Sequence, residues 1–274
     1  MQTPPVPRAL TGLLETWEAY DLRLPPGSGH HGLPSATATV ILSFDEPLDC
    51  ALTPTGERGR FWTLASGLHT GPAVIRAGSV MSGIQLALTP VGVARLLGEP
   101  LTALTNQLVN HQDLNLGISP AFHARLEDAT WPERFTLLAQ HLTTLADRPG
   151  PGGQDWARPE VTEAWRLLTG PTQIQVADVA RRVGWSPRQL QTQFRRACGV
   201  SPKQIAAIAR FDRSRQLVRS GVSLVDAALT CGYVDQSHLN REWRRWAGET
   251  PSETAQGFRN IQDPDGSGAE QSVP

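Results

Sequence analysis

Asp178-Val179-Ala180, Gly184-Trp185, Leu190, Phe194-Arg195-Arg196, Gly199 and Ser201-Pro202 recur downstream as Asp226-Ala227-Ala228, Gly232-Tyr233, Leu239, Trp243-Arg244-Arg245, Gly248 and Thr250-Pro251. The offset is 48 residues up to the Gly-aromatic pair and 49 after it, so the second copy carries one inserted residue. Each copy has the form helix, tight glycine turn, helix. That is a helix-turn-helix, and two in tandem predict a protein that reads two stretches of duplex DNA.

The local chemistry of the copies agrees. Val176, Val179, Ala180 and Val183 fall at i, i+3, i+4, i+7, as do Leu224, Ala227, Ala228 and Cys231, so each first helix carries a narrow apolar stripe. Gly184 and Gly232 follow the stripes, where the chain must turn left-handed to leave a helix. Trp185 and Tyr233 are placed to plug the core beside the turn. Ser186-Pro187 reads as an N-cap followed by proline at the first helical position, and Asp235 can cap the second copy in the same way.

The second helices bury Leu190, Phe194 and Ala197, or Leu239, Trp243 and Trp246. Their opposite faces are polar and cationic: Arg188, Gln191, Thr192 and Arg195 in one, Gln236, Ser237, Asn240, Arg241 and Arg244 in the other. Such side chains pair with base edges in the major groove. Between the copies, Ser201-Pro202 starts a helix reaching about Ser220, with Ile205, Ile208, Phe211, Leu217 and Val218 for packing. A helix of ~18 residues is about 27 Å long. Major grooves on one DNA face repeat every ~34 Å, so the connector has the scale to span two of them. Gly221 ends it, and Ser223 with Asp226 restarts the chain as a capping box.

These residues resemble the AraC/XylS family of transcription regulators. The stretch Gly232-Tyr233-Val234-Asp235-Gln236-Ser237-His238-Leu239-Asn240-Arg241 is close to that family's most distinctive signature, and the resemblance covers roughly residues 160–259. Leu33-Pro34, Val40-Ile41-Leu42 and Leu88-Thr89-Pro90-Val91-Gly92-Val93 are similar in order to cupin-like sensor domains found in some members. The resemblance implies base contacts from Arg188, Gln191 and Thr192 in the first recognition helix and from Gln236, Ser237, His238 and Arg241 in the second. At Thr192 many members carry arginine; a threonine offers one hydroxyl bond or a methyl contact but no bidentate grip on guanine. Arg182, Arg195, Arg196, Lys203, Arg244 and Arg245 are candidates for phosphate contacts. The resemblance further implies an effector or partner acting through the N-terminal half, activation as the mode of regulation, and contact with RNA polymerase.

Charge divides the chain in the same sense. Residues 160–260 carry 15 Lys and Arg against 9 Asp and Glu, a net of +6, while the rest carries 10 against 17, a net of −7. A basic half beside an acidic half is what DNA binding by one domain predicts. The three cysteines, Cys50, Cys198 and Cys231, are far apart and form no C-x-x-C pair, which argues against a zinc site or a disulfide framework; Cys231 falls at a core position. No basic-then-apolar leader and no run of 18 apolar residues is present, so a cytoplasmic protein without a membrane segment is expected.

The N-terminal half alternates short apolar segments with Gly and Pro: residues 10–24, 37–44, 60–64, 73–75 and 83–88, separated by turns such as Pro25-Pro26-Gly27-Ser28-Gly29 and Gly71-Pro72. This spacing predicts a β-sandwich or barrel. The expected organisation is therefore an α+β two-domain chain. Residues 1–148 form a sensor domain, barrel-like and cupin-like to about 92 with helices after; 149–158 form a Pro/Gly linker; 159–260 form an all-α DNA-binding domain of two helix-turn-helix units joined by a long helix; 261–274 form a disordered tail. Residues 1–7 are expected to be loose, and Gly92 to His111 to be helical. Pro120 to Asp147 is expected to be helical too, offering Phe122, Leu126, Phe135, Leu138, Leu142 and Leu145 either to a homodimer interface or to its own barrel.

No cofactor is expected. His30-His31 are adjacent and so point to opposite faces of a strand, and His69 stands alone, which speaks against a metal site. Trp62, Phe61, Met81 and His30 are pocket candidates, with core packing as the alternative. No Ser-His-Asp spacing, phosphate loop or carboxylate pair marks a catalytic site. The competing reading is an enzyme, either a cupin-type metalloenzyme or a DNA-repair protein carrying the same DNA-binding domain; the latter needs an activated cysteine, for which Cys50 is the candidate. A protein-only adaptor is disfavoured by the charge split.

Overall fold

The computed structural model describes residues 3–23, 29–76, 80–110, 114, 116–148 and 158–251. Two antiparallel sheets build the N-terminal half. The first has the order β1 (Leu14–Arg23), β8 (Val80–Leu88), β3 (Ala38–Ser43), β6 (Thr63–Ser66), β9 (Leu108–Asn110). The second has the order β2 (Gly29–Gly32), β7 (Ala73–Arg76), β4 (Leu48–Ala51), β5 (Gly59–Phe61).

Strand alternation assigns the two faces of the larger sheet. Trp17 and Ala19 on β1, Val40 and Leu42 on β3, and Ile84, Leu86 and Leu88 on β8 join the main core. Tyr20, Leu22, Ile41 and Met81 face the other way, meeting Leu48, Cys50 and Ile75 of the smaller sheet. Further along that same face the smaller sheet ends, and polar residues Thr16, Glu18, Thr37 and Gln85 take over.

The main core is closed by helices. A short α1 (Pro90–Gly92), capped by Thr89, continues through a π turn to Leu97; α2 (Leu101–Leu104), α3 (Pro120–Asp128) and α4 (Trp131–Ala146) follow. Phe135, Leu138, Leu142 and Leu145 of α4 are buried, and the Phe135 ring meets Trp17 edge-on at 4.9 Å. Each such fully buried apolar side chain stabilises by about 1.5–3 kcal/mol. The apolar side of this helix pair is thus spent on the chain's own core, not left for a second copy.

Several expectations are corrected. The run from Gly92 to His111 is not one helix: Gly98 (φ 74) and Pro100 interrupt it, Asn106 turns at φ 55, and Leu108–Asn110 then pairs with β6. The stretch from Pro120 to Asp147 is helical as expected, but in two helices, because the chain turns extended at Ala129 and Thr130 then caps the second with Glu133. The proline-rich start is packed from Pro4, whose carbonyl accepts a bond from Trp17 Nε1 at 2.9 Å. The strands β2, β4 and β9 fall outside the expected segments. Met81 and Phe61 belong to the core between the sheets, while Trp62 is 45% exposed beside His123, so these residues line no common pocket; the side chain of His30 lies outside the described residues. The linker, apart from Arg158, and the tail also lie outside them.

The C-terminal half is helical: α5 (Pro159–Thr169), α6 (Val176–Arg182), α7 (Pro187–Cys198), α8 (Pro202–Arg219), α9 (Leu224–Thr230) and α10 (Gln236–Ala247). Helix α8 joins two cores, with Ile205 in the main one and Ile208 and Phe211 in another built on α9 and α10. It starts as expected, with a Ser201–Gln204 capping box. Leu33 of the N-terminal half belongs to the second of these cores, so the domains share buried apolar surface.

Candidate nucleic-acid interface

The two helix-turn-helix units are α6–α7 and α9–α10, and their turns close identically. The Trp185 amide donates to Ala180 O at 2.9 Å, and the Tyr233 amide to Ala228 O at 2.8 Å. Gly184 (φ 74) and Gly232 (φ 69) hold the left-handed position between. Ser186 Oγ accepts from the Gln189 amide at 3.2 Å, and Asp235 Oδ1 from the His238 amide at 2.6 Å, so both recognition helices start on a side-chain cap. Both end on left-handed glycines, Gly199 (φ 74) and Gly248 (φ 82).

Burial sorts the recognition helices as the sequence predicts. Leu190, Phe194, Ala197 and Cys198 are buried in α7, and Phe194 stacks on Trp165 of α5 at 5.9 Å. Leu239, Trp243, Trp246 and Ala247 are buried in α10, and Trp243 meets Phe211 edge-on at 5.4 Å. Arg188, Gln191, Thr192, Arg195 and Arg196 are exposed on α7; Gln236, Ser237, Arg241, Arg244 and Arg245 are exposed on α10, with His238 and Asn240 half-buried. Arg182 is exposed at the end of α6, and its neighbour Arg181 pairs with Asp178.

Two candidate base readers are already engaged. Thr192 Oγ1 donates to Arg188 O at 3.0 Å, so its hydroxyl proton is spent on its own helix. His238 Nδ1 accepts from the Val234 amide at 3.4 Å, which puts the ring proton on Nε2 and makes that nitrogen a donor. The His238 ring stands edge-on to Tyr233 at 5.2 Å.

Lys203 and Arg245 both line a groove of about 460 Å³ between the units. Within it Arg210 pairs with Glu242 at 2.9 Å and lies 4.6 Å from the centre of the Tyr233 ring, tying α8 to α10. Arg245 lies 4.8 Å from the Trp246 ring centre.

Residues absent from the sequence reading connect this surface to the N-terminal domain. Thr105, just past α2, shares its Oγ1 proton between Leu101 O at 3.0 Å and Cys198 O at 3.1 Å, and a Cβ on Gly199 would lie 2.6 Å from that hydroxyl. A Cβ on Gly248 would meet Pro72 at 3.6 Å. The C-terminal end of the first recognition helix therefore rests on the N-terminal domain, and that of the second lies near it. A cleft of about 440 Å³ separates α8 from the polar part of the larger sheet, with Glu15, Glu18 and Gln85 on one wall and Asp212, Arg213, Arg215 and Arg219 on the other. The residue inserted in the second turn had a sequence signal, the step in offset from 48 to 49. The contacts of Thr105 and Pro72 had none, because they join distant segments.

The chemistry at Cys50 runs against an activated thiol: burial and the neighbouring Asp49 carboxylate push its pKa up to about 12. Among the described residues, no three His, Cys, Asp or Glu side chains are grouped to hold a metal ion, and no helix is long and apolar enough to cross a membrane.

Residues 179–257 match the helix-turn-helix domain family. The chain is 32% identical over 203 residues to the HTH-type transcriptional regulator ExsA of Pseudomonas aeruginosa, a match spanning 72% of this chain and 69% of that protein. It is 30% identical over 66 residues to YbfI of Bacillus subtilis, an uncharacterized HTH-type transcriptional regulator, and spans only 24% of that protein's length. A lysine-to-alanine variant of apo ToxT from Vibrio cholerae superposes with a TM-score of 0.57 at 9% identity, over 89% of this chain and 98% of that one. Wild-type ToxT solved with an unsaturated fatty acid bound gives 0.54 at 11%, over 88% and 95%. At these identities the likeness to ToxT is one of fold.

Proposed function

This chain belongs to the AraC/XylS family of DNA-binding transcription regulators, and we propose that it is an activator whose N-terminal domain controls how two recognition helices meet DNA. The observation that carries this reading is the seating of both helix ends, Gly199 on Thr105 and Gly248 beside Pro72. A sensor touching both helices can bias their placement, provided its effector binds one arrangement better than the other.

In this reading Arg188, Gln191, Gln236, Ser237, His238 and Arg241 contact bases. Thr192 contributes at most a methyl or a lone pair, since its hydroxyl proton is engaged. Arg182, Arg195, Arg196, Arg244 and Arg245 contact phosphates, with Lys203 beside Arg245 on the groove. The effector is a small molecule or a protein. ToxT binds an unsaturated fatty acid; here the cleft between α8 and the larger sheet is charged on both walls, which favours a polar ligand bridging the domains. The working environment is the cytoplasm, with RNA polymerase as the partner in activation. A dimer would have to use a surface other than the buried faces of α3 and α4.

Selection of duplexes from a random pool by the full-length protein at ~150 mM salt, where unspecific phosphate binding is weak, tests the core of this reading. Two short motifs about one helical turn apart are expected. Failure to enrich any motif, with the full chain and with residues 158–251 alone, would sink it. Enrichment by the fragment alone would mean that the sensor restrains the helices until its effector arrives.

A further inference from the structure

The second helix-turn-helix has five residues between its helices, Cys231 to Asp235, where the first has four, Val183 to Ser186. The glycine turns superimpose in hydrogen bonding, as do the caps, Ser186 with Asp235. Val234 is therefore the extra residue. It is 80% exposed, the most exposed of the large hydrophobic residues described. Its backbone is fixed rather than loose: its amide bonds His238, and Tyr233 and Asp235 on either side are each pinned by a bond of their own. A β-branched side chain has been placed at the N-terminal end of α10 and held out to solvent there.

The N-terminal residues of a recognition helix meet base edges. Of the groups displayed in the major groove, only the C5-methyl of thymine offers an isopropyl group an apolar contact. We infer that Val234 is a specificity-determining residue that reads a thymine methyl at the edge of the half-site facing α10. The inference rests on α10 reading bases, as proposed above. It gives the two units different vocabularies, because α7 has no residue at this place. The neighbouring Gln236, Ser237 and Arg241 read donors and acceptors, and Val234 adds discrimination between thymine and every base that lacks the methyl group.

The test uses the full-length protein on its own selected duplex. Positions whose preference changes in a selection with Arg241→Ala mark the half-site under α10. Each thymine in and beside that half-site is then replaced singly by deoxyuridine, which deletes only the methyl group. At one of them wild-type affinity should fall about three- to fivefold, below the roughly tenfold that a methylene commands in an enclosed pocket. Val234→Ser should bind both duplexes alike, and Val234→Thr, which keeps one methyl, should restore part of the preference. The side chain is exposed, so neither substitution threatens folding. Equal discrimination by Val234→Ser and wild type overturns the inference, as does a wild type indifferent to uracil at every position. A motif left intact by Arg241→Ala would instead overturn the reading of α10, and this inference with it.

Discussion

The two helix-turn-helix units share a skeleton and differ in what surrounds it. Both close their turns with the same pair of bonds and both bury the same face of the recognition helix. Yet the first unit is hydrogen-bonded to the sensor through Thr105, and one of its candidate base readers, Thr192, spends its hydroxyl on its own backbone. The second meets the N-terminal domain through apolar groups, with Leu33 in its core and Pro72 near Gly248, and carries the inserted Val234 beside an oriented His238. Their first helices differ as well: α9 exposes Val225 and Leu229 where α6 has Ala177 and Arg181. Duplication fixes the geometry of a unit, and its exposed residues then divide the labour. In the proposed function this difference would let the first unit be held more firmly and the second add discrimination.

The sharpest way to break that division is at the recognition faces. Arg241→Ala should cost about 1–3 kcal/mol of DNA affinity and relax one base position, whereas Thr192→Ala should change the selected motif little. Equal losses from the two, measured by selection and titration, would mean that both helices read alike. Next come the turn glycines. An alanine at Gly184 meets open space and should cost only the left-handed backbone penalty, about 1–2 kcal/mol. At Gly232 its Cβ would strike the Gln173 amide that bonds Cys231 O, adding about 1 kcal/mol; thermal unfolding of the two variants compares them.

Thr105→Val keeps the shape and removes the hydroxyl shared by Leu101 O and Cys198 O, at about 1 kcal/mol. Only the motif read by α7 should weaken or broaden; an effect confined to the α10 motif would contradict the coupling drawn here. The smallest effect is expected from Arg244→Ala. It should weaken all duplexes alike and lower the slope of log affinity against log salt by about 1, without changing the preferred sequence.

Much of the C-terminal half was legible because its signals are local. Ser186, Ser201, Ser223 and Asp235 announce helix starts, the left-handed glycines announce stops, and the repeat supplies the pairing. The polar faces followed from the same periodicity. The sensor was legible as alternating strands but not in its details. Leu108–Asn110 became a strand because Gly98, Pro100 and Asn106 bend the chain back to β6, a tertiary outcome that overrides local propensity. The packing of Pro4 on Trp17, and of Leu33 with α8 and α10, depends on partners far away in sequence. The same holds for Thr105 and Pro72, so the link between sensor and DNA surface had no counterpart in any motif.

On the proposed function, the placing of Gly199 on Thr105 and of Gly248 near Pro72 of the same domain would make the molecule a caliper. Successive base pairs are stacked about 3.4 Å apart, so half-site spacing on DNA comes in fixed steps. Two jaws mounted on a common body accept one such step and strain against the next. A shift at Thr105 far smaller than a base pair would open or close the jaws relative to that ruler. What the sensor sets, on this view, is the gap between sites the protein tolerates, a property that promoters can vary by inserting or deleting a single base pair.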